Sequence, residues 1–196
     1  MTERVCEYCG ESINLLRAGA RFCSTKHRVY ASRKPVLPVE MTSKARWMRW
    51  KPVRRGGRVT KLPITTEGKP ASSTNTATWC SYQVARQSTL GTGLGFALGE
   101  GIGCIDLDHC IIDGVVAEWA RAILDSCPPT YIEVSQSGEG LHIFGLLPEG
   151  SGRNIRSGEM AIEFYSAGRY IAVTGNSFEG SPTRLADLSG VVASVV

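Results

Sequence analysis

The sequence predicts an α+β protein with many short strands and few helices, preceded by a small cysteine-containing segment. Short apolar runs bounded by glycine recur through residues 47–174, which is typical of strands. Apolar side chains recur at helical spacing in residues 115–126, and a polar loop that can cap a helix precedes residues 77–86. The 196 residues suffice for one domain of moderate size and a small appendage.

The first element is a cluster of metal-ligand residues in residues 1–33. Cys-x₂-Cys is followed, after thirteen residues, by Cys-x₃-His. The residues are Cys6, Cys9, Cys23 and His27. Their spacing suits tetrahedral Zn²⁺, which would supply most of the folding free energy of so small a segment. Scattered free thiols are one alternative, and a redox pair is another, although the surrounding strand-helix pattern of a thioredoxin-type site is missing. We predict a zinc knuckle followed by an extended linker over residues 34–43.

Charge is divided unevenly along the chain. Residues 1–62 contain fifteen Lys and Arg against four acidic residues, whereas residues 63–196 contain seven against fourteen. A basic surface suits a polyanion and clustered carboxylates suit cations, so nucleic acid processed with the help of a metal would use both. A solvated basic surface without a partner is the simpler alternative.

The next elements are a hairpin and a helix. A strand over residues 46–51 and a partner over residues 58–63 are joined across a Gly-Gly turn. Trp47 and Trp50 in the first strand suit packing in the core better than stacking on bases. The polar loop over residues 69–76 then leads into the predicted helix.

Two carboxylates stand at the end of a buried strand. The apolar runs at residues 93–98 and 101–105 predict adjacent strands, and the second ends in Asp106-Leu-Asp108. Alternate side chains of a strand share a face, so Asp106 and Asp108 lie side by side and repel each other unless a divalent cation binds them. Ordinary turn chemistry is the alternative. The helix over residues 115–126 follows.

Two further strands carry polar residues. After a strand over residues 130–134, Ser135, Ser137 and Gly138 form a turn that could bind a phosphate, and His142 in the next strand could add a donor. A generic hairpin with a structural histidine explains the same pattern. Glu163 interrupts the apolar strand over residues 160–165 and needs a metal or an arginine as partner. Arg169 could be that arginine, or it could bind phosphate.

The three groups resemble the motifs of a known family. In order, they are Asp106-x-Asp108, Ser135-x-Ser137-Gly-x-Gly-x-His142, and Ile162-Glu163-Phe-Tyr-x-x-Gly-Arg169-Tyr. Together they resemble the three motifs of the archaeo-eukaryotic primase superfamily, most closely the bifunctional primase-polymerases of phages and plasmids. The resemblance covers about residues 44–180.

The resemblance implies template-directed nucleotidyl transfer in phage or plasmid replication, with Mg²⁺ or Mn²⁺ as cofactor. Asp106, Asp108 and Glu163 would hold two ions, with Zn²⁺ as a separate structural ion. The turn and His142 would bind the triphosphate, helped by Lys61 and Arg169. The implied partners are single-stranded DNA template, primer, dNTP or NTP, and a replicative helicase.

The resemblance also implies a catalytic fold. This fold has an antiparallel sheet like that of the RNA-recognition motif, with flanking helices, packed on a smaller α/β unit. It would cover residues 44–185, leaving residues 186–196 as a tail.

Two other functions remain open on the residues alone. One is a zinc-containing module that binds single-stranded DNA in replication without catalysis, and the other is a metal-dependent nuclease on the same carboxylates. No apolar run approaches the roughly 20 residues that cross a bilayer, and the N-terminus lacks the apolar segment of a signal peptide. We expect a cytoplasmic protein of a bacterial host or a phage-infected cell, without a membrane partner.

Overall fold

The structure is a computed structural model that describes residues 4, 6, 12–32 and 36–195. It divides the chain into two compact units, Met1–Pro35 and Val36–Val196. No helix within the described ranges has the length and apolar character that crossing a membrane requires.

The described residues of the first unit include one helix, α1 (Thr25–Ser32). Ser24 precedes the helix, and its hydroxyl accepts a hydrogen bond from the backbone amide of His27 at 3.1 Å, which satisfies one of the free amides of the first turn. Cys23 and His27 therefore stand one helical turn apart. The guanidinium of Arg4 donates to the carbonyls of Arg17 and Ala20, at 2.8 and 3.2 Å, and so ties the ends of the intervening loop together.

The second unit contains two antiparallel sheets and a small hairpin. Its elements in order are α2 (Val39–Thr42), β1 (Trp47–Arg55), β2 (Arg58–Ile64), a 3-10 turn (Thr76–Thr78), α3 (Tyr82–Gln87), β3 (Gly93–Ala97), β4 (Ile102–Leu107), β5 (Ile111–Ile112), β6 (Val115–Val116), α4 (Glu118–Ser126), β7 (Ile132–Val134), β8 (Leu141–Leu146), β9 (Arg153–Ser157), β10 (Met160–Tyr165), β11 (Tyr170–Val173) and α5 (Ser189–Val195). The small sheet has the order β11-β3-β1-β2 and the large sheet the order β7-β8-β4-β10-β9. The α+β class and the antiparallel sheet are confirmed.

Each face of the large sheet contributes to a different core. One face packs against the small sheet, where Cys104, Tyr131 and Phe144 join Trp47 and Phe96 in one cluster of buried side chains. The other face packs against the helices α4 and α5. Its buried residues include Ile105, Leu107, Leu141, Ile143 and Ile162. This alternation along each strand decides which side chains can line a site on the face that meets the small sheet.

The predicted neighbours over residues 93–98 and 101–105 belong to different sheets, and that prediction is wrong. β3 pairs with β1 and β11, whereas β4 pairs with β8 and β10. Gly99, Glu100 and Gly101 all have positive φ angles, of 137°, 52° and 79°, and turn the chain from one sheet to the other. The expected pairing is reduced to an isolated bridge between Gly99 and Ile102.

Both predicted helices are shorter than expected. Residues 77–86 form a 3-10 turn and α3, because Cys80 between them exchanges two backbone hydrogen bonds with Trp47, of 3.0 and 2.8 Å. In residues 115–126, Val115 and Val116 pair with Ile111 and Ile112 in a hairpin, and the helix begins only at Glu118. The β1–β2 hairpin agrees with the prediction.

The segment that follows β11 is part of the folded unit. Residues 186–196, which we expected to form a tail, include α5, whose Val191 is buried in the core beside Leu188. The backbone amide of Leu188 donates to the carbonyl of Leu146 at 3.0 Å, so the segment also extends the end of β8.

Candidate active site

One row of paired residues crosses all five strands of the large sheet. Glu133 on β7 is opposite His142, which is opposite Asp106 on β4. Asp106 is opposite Glu163 on β10, and Glu163 is opposite Asn154 on β9. Directly paired residues of neighbouring strands point to the same face. The row therefore brings two of the three predicted carboxylates and the predicted histidine side by side.

The row lies where the large sheet emerges from beneath the small one. Two residues before Asp106, Cys104 is fully buried in the core between the sheets. Two residues after it, Asp108 has a side chain that is 38% exposed. The same face thus passes from dry core to solvent within one strand, with Asp106, 21% exposed, at the boundary.

Burial dominates the electrostatics of Asp106. The pKa of its carboxyl is raised from 3.8 to about 6, mainly by desolvation. The charges of Asp108 and Glu163 contribute to the rise, and those of His142 and Lys61 oppose it. Strongly perturbed carboxyl groups in a cleft are typical of functional sites. A cation bound among the three carboxylates would relieve this repulsion.

Glu133 is a residue of the row that the sequence analysis missed. It is completely buried, and each carboxylate oxygen accepts two hydrogen bonds. Oε1 accepts from Nδ1 of His142 at 2.9 Å and from the amide of Thr174 at 3.1 Å. Oε2 accepts from the hydroxyl of Tyr131 at 3.0 Å and from the amide of Gly175 at 2.9 Å. With four donors around it, the carboxylate orients the imidazole, whose Nε2 lies 3.8 Å from Oδ1 of Asp106.

A signal for Glu133 was present in the sequence. It interrupts an apolar strand as Glu163 does, and a buried glutamate needs partners. Its four donors come from three separate segments, which local sequence patterns do not bring together.

The other end of the row is rich in hydrogen bonds to Glu163. Oε1 accepts from Nδ2 of Asn154 at 2.6 Å and from Nη2 of Arg156 at 2.8 Å, and Oε2 accepts from the hydroxyl of Tyr165 at 3.0 Å. The same Nη2 of Arg156 also donates to Oδ2 of Asp108 at 3.2 Å. The arginine that pairs with Glu163 is therefore Arg156, which the sequence analysis did not single out, rather than Arg169.

Arg169 reaches Glu163 only through Tyr165. Its guanidinium lies over the ring of Tyr165 at 4.7 Å and donates to the hydroxyl at 3.2 Å. Lys61 extends over the ring of Trp50 at 5.9 Å, from the small sheet. Its positive charge slightly opposes the rise in the pKa of Asp106. Both basic residues thus stand around the acidic row without a direct bond to its carboxylates.

The turn between β7 and β8 is a tight hairpin. Gly138 has a φ of 83°, which favours glycine, and a Cβ on Gly140 would lie 2.8 Å from the carbonyl oxygen of Leu107. The amides of Ser135 and Gly138 donate within the turn, at 2.8 and 3.0 Å. Because these amides are already engaged, the turn does not present a continuous run of amides to a phosphate. It presents instead the hydroxyls of Ser135 and Ser137, which lie 3.1 Å apart.

His109, next to Asp108, contacts the same turn. It has a φ of 52°, and its Nδ1 lies 3.1 Å from Oε2 of Glu139. Both side chains are exposed. The pair joins the end of β4 to the turn that precedes His142, so the two polar segments of the site are connected at their exposed edge.

Metal ligands gather more tightly in the first unit than in the acidic row. Among the described residues, one group brings three ligand atoms within 4.8 Å of one another, and it is Cys6, Cys23 and His27. Sγ of Cys23 lies 2.9 Å from Nδ1 of His27, and Sγ of Cys6 lies 3.9 Å from it. Two thiolates and an imidazole fit Zn²⁺. The predicted fourth ligand, Cys9, lies outside the described residues.

The fold and the site define an α+β protein with an acidic row beside a buried histidine. A scan against models of known families gives no match. The chain is similar to a curated protein of Nitratiruptor phage NrS-1 named DNA primase-polymerase, with 36% identity over 147 residues. The similarity covers 69% of this chain and 20% of the phage protein, so the chain spans about a fifth of the length of this relative.

Proposed function

We propose that the chain is a primase-polymerase domain that joins nucleotides on a DNA template during phage or plasmid replication. The observation that carries the proposal is the row of Glu133, His142, Asp106 and Glu163 on one face of the sheet, together with the similarity to a phage DNA primase-polymerase. Nucleotidyl transfer needs carboxylates for divalent cations beside donors for phosphate. This face offers both.

The acidic residues fit Mg²⁺ or Mn²⁺, because these ions prefer carboxylate oxygens. Asp106, Asp108 and Glu163 would hold two ions, which when bound activate the attacking hydroxyl and stabilise the leaving pyrophosphate. Asp106 must lose its proton first, so its raised pKa opposes ion binding below pH of about 6.

The remaining predicted residues would bind the nucleotide. His142, held by Glu133, directs Nε2 toward the acidic row, where it can donate to a phosphate oxygen. Ser135 and Ser137 lie on the turn that contains Gly138, and their hydroxyls are 3.1 Å apart. This turn leads directly into β8, the strand that carries His142. Lys61 and Arg169 add positive charge from two other sides. The proposed substrates are a dNTP or NTP, a primer and a single-stranded DNA template.

We further propose that the first unit binds one structural Zn²⁺ through Cys6, Cys9, Cys23 and His27. The support is the close approach of three of these residues at the start of α1. A unit of this size buries too little apolar surface to fold on its own, so the ion would supply the missing free energy.

Primer extension tests the main proposal. Wild-type protein is incubated with a labelled primer on a template, with dNTPs or NTPs in matched reactions, and with Mg²⁺ or Mn²⁺. We expect extension by the wild type and a loss of at least about a hundredfold in Asp106→Ala, since a metal ligand is removed. Asp113→Asn, in the exposed turn of the β5–β6 hairpin, removes the same charge nearby and should retain activity.

Other outcomes point to the other functions. Absence of extension by the wild type, or undiminished extension by Asp106→Ala, contradicts the proposal. Tight binding of single-stranded DNA without incorporation under any metal condition would indicate a binding module. Loss of labelled template without added nucleotides would indicate a nuclease.

A further inference from the structure

Arg156 places a positive charge between two of the proposed metal ligands. Its Nη2 lies 2.8 Å from Oε1 of Glu163 and 3.2 Å from Oδ2 of Asp108. The arginine side chain is 48% exposed, so it can leave this position without disturbing the core. A divalent cation bound by Glu163 and Asp108 would have to occupy the same region.

The register of the sheet explains how Arg156 reaches a carboxylate two strands away. Arg156 on β9 is opposite Ala161 on β10. The carbonyl of Ala161 in turn accepts the amide of Asp108 at 2.9 Å. Because Ala161 has no side chain beyond Cβ, the long arginine side chain crosses β10 above it and reaches Asp108.

Three of the four acceptor positions of Glu163 are already engaged. Oε1 accepts from both Asn154 and Arg156, at 2.6 and 2.8 Å, and Oε2 accepts from Tyr165. A carboxylate oxygen has two acceptor positions, so Oε1 has none left for an ion until one donor leaves. The charged guanidinium, rather than the neutral amide, also repels the incoming cation.

We propose that Arg156 is an internal cation that competes with the divalent metal for Asp108 and Glu163. In the metal-free protein it offsets one of the two negative charges of the pair and weakens the affinity of the site, and metal binding displaces it. The inference rests on the proposed role of these carboxylates as metal ligands. Beyond that role, it assigns to an arginine on the edge strand β9 the function of weakening metal binding.

The test is the affinity of the zinc-loaded full chain for Mn²⁺ alone, without nucleotide or DNA. Free Mn²⁺ is measured by electron paramagnetic resonance during a titration at low ionic strength. We expect Arg156→Gln to bind Mn²⁺ roughly five- to tenfold more tightly than the wild type, and Arg156→Lys to lie between the two. Circular dichroism confirms that the variants are folded.

Arg153→Gln is the matched control. Arg153 lies on the same strand, three residues away and on the opposite face of the sheet, so its substitution changes the net charge equally without touching the acidic row. We expect its Mn²⁺ affinity to stay within about twofold of the wild type. Asp108→Asn should weaken Mn²⁺ binding at least about tenfold, which identifies the titrated site.

The proposal is overturned if Arg156→Gln binds Mn²⁺ no more tightly than Arg153→Gln, or if Asp108→Asn leaves the titration unchanged. It is also overturned if neither the wild type nor Arg156→Gln binds Mn²⁺. The titration contains no template, primer or nucleotide. A failure of primer extension alone would contradict the proposed function and leave the Mn²⁺ comparison intact.

Discussion

At the scale of single residues, the carboxylates of the acidic row differ in how well the protein stabilises their ionised form. Glu133 is completely buried, yet four hydrogen bonds compensate its charge. Asp106 accepts no comparable set of donors, and burial raises the pKa of its carboxyl to about 6. The ionised Asp106 is therefore a source of instability in the metal-free protein, as is common for functional groups.

Asp106→Asn should stabilise the metal-free protein at neutral pH. Because the folded-state pKa of about 6 lies above the ordinary value of 3.8, the folded state holds this proton more tightly, and the free energy of unfolding falls as pH rises through this window. Asparagine has no charge to bury. We expect a gain of about 1 to 2 kcal/mol at pH 8, and little difference at pH 3.5, from urea unfolding in EDTA.

Asp125→Asn provides the comparison, because Asp125 is exposed on α4. Its effect should stay within about 0.5 kcal/mol at both pH values. An Asp106→Asn variant that is less stable than the wild type at pH 8 would show that the carboxylate has favourable partners in solution.

At the scale of elements, the strands were more predictable than their partners. Met160–Tyr165 agrees with the apolar run that predicted it, and the β1–β2 hairpin follows from its alternating residues and Gly-Gly turn. The assignment of β3 and β4 to different sheets depends on pairings with distant segments, which local periodicity does not contain. The same holds for the site. Its carboxylates were visible as polar residues in apolar strands, whereas Arg156 depends on the register of β9.

A glycine in β8 allows the C-terminal segment to pack on the large sheet. Gly103 on β4 is opposite Gly145 on β8. A Cβ on Gly145 would lie 2.4 Å from Cγ of Leu188 and 2.7 Å from the carbonyl oxygen of Ala186. Leu188 is completely buried. The absence of a side chain on Gly145 is therefore what admits this leucine.

Gly145→Ala should destabilise the larger unit by overpacking. We expect the free energy of unfolding to fall by about 1 to 3 kcal/mol, as measured by urea unfolding. Gly150→Ala is the control, because a Cβ there meets no atom within 4 Å and its effect should be less than about 0.5 kcal/mol. Equal stability of the two variants would contradict the packing of Leu188 against β8.

At the scale of the whole molecule, the two units have different sources of stability and charge. Residues 1–35 contain seven Lys and Arg against three acidic residues, and the rest of the chain contains fifteen of each. The net charge of +4 therefore belongs to the small unit. The large unit has two hydrophobic clusters, whereas the small one has a metal-ligand group. A basic module that folded around the proposed Zn²⁺ would suit contact with nucleic acid.

Metal analysis tests the small unit. Purified protein should contain about one zinc per chain, and Cys6→Ser/Cys9→Ser should lose it because two of four ligands are removed. Cys80→Ser/Cys127→Ser changes two cysteines of the large unit and should keep the zinc, as measured by inductively coupled plasma mass spectrometry. Zinc retained by the first double variant would refute the ligand set.

The row across the large sheet also determines where the chain tolerates insertions. Because the row runs perpendicular to the strands, its members depend on register and not on the lengths of the connecting loops. Extra residues in the exposed loop at 149–152, or in the β5–β6 turn, leave every pairing in place, so these positions suit a fluorescent label or an affinity tag. A single residue inserted between Cys104 and Ile105 would move Asp106 to the opposite face of β4, among the apolar side chains there, and place Ile105 in the acidic row.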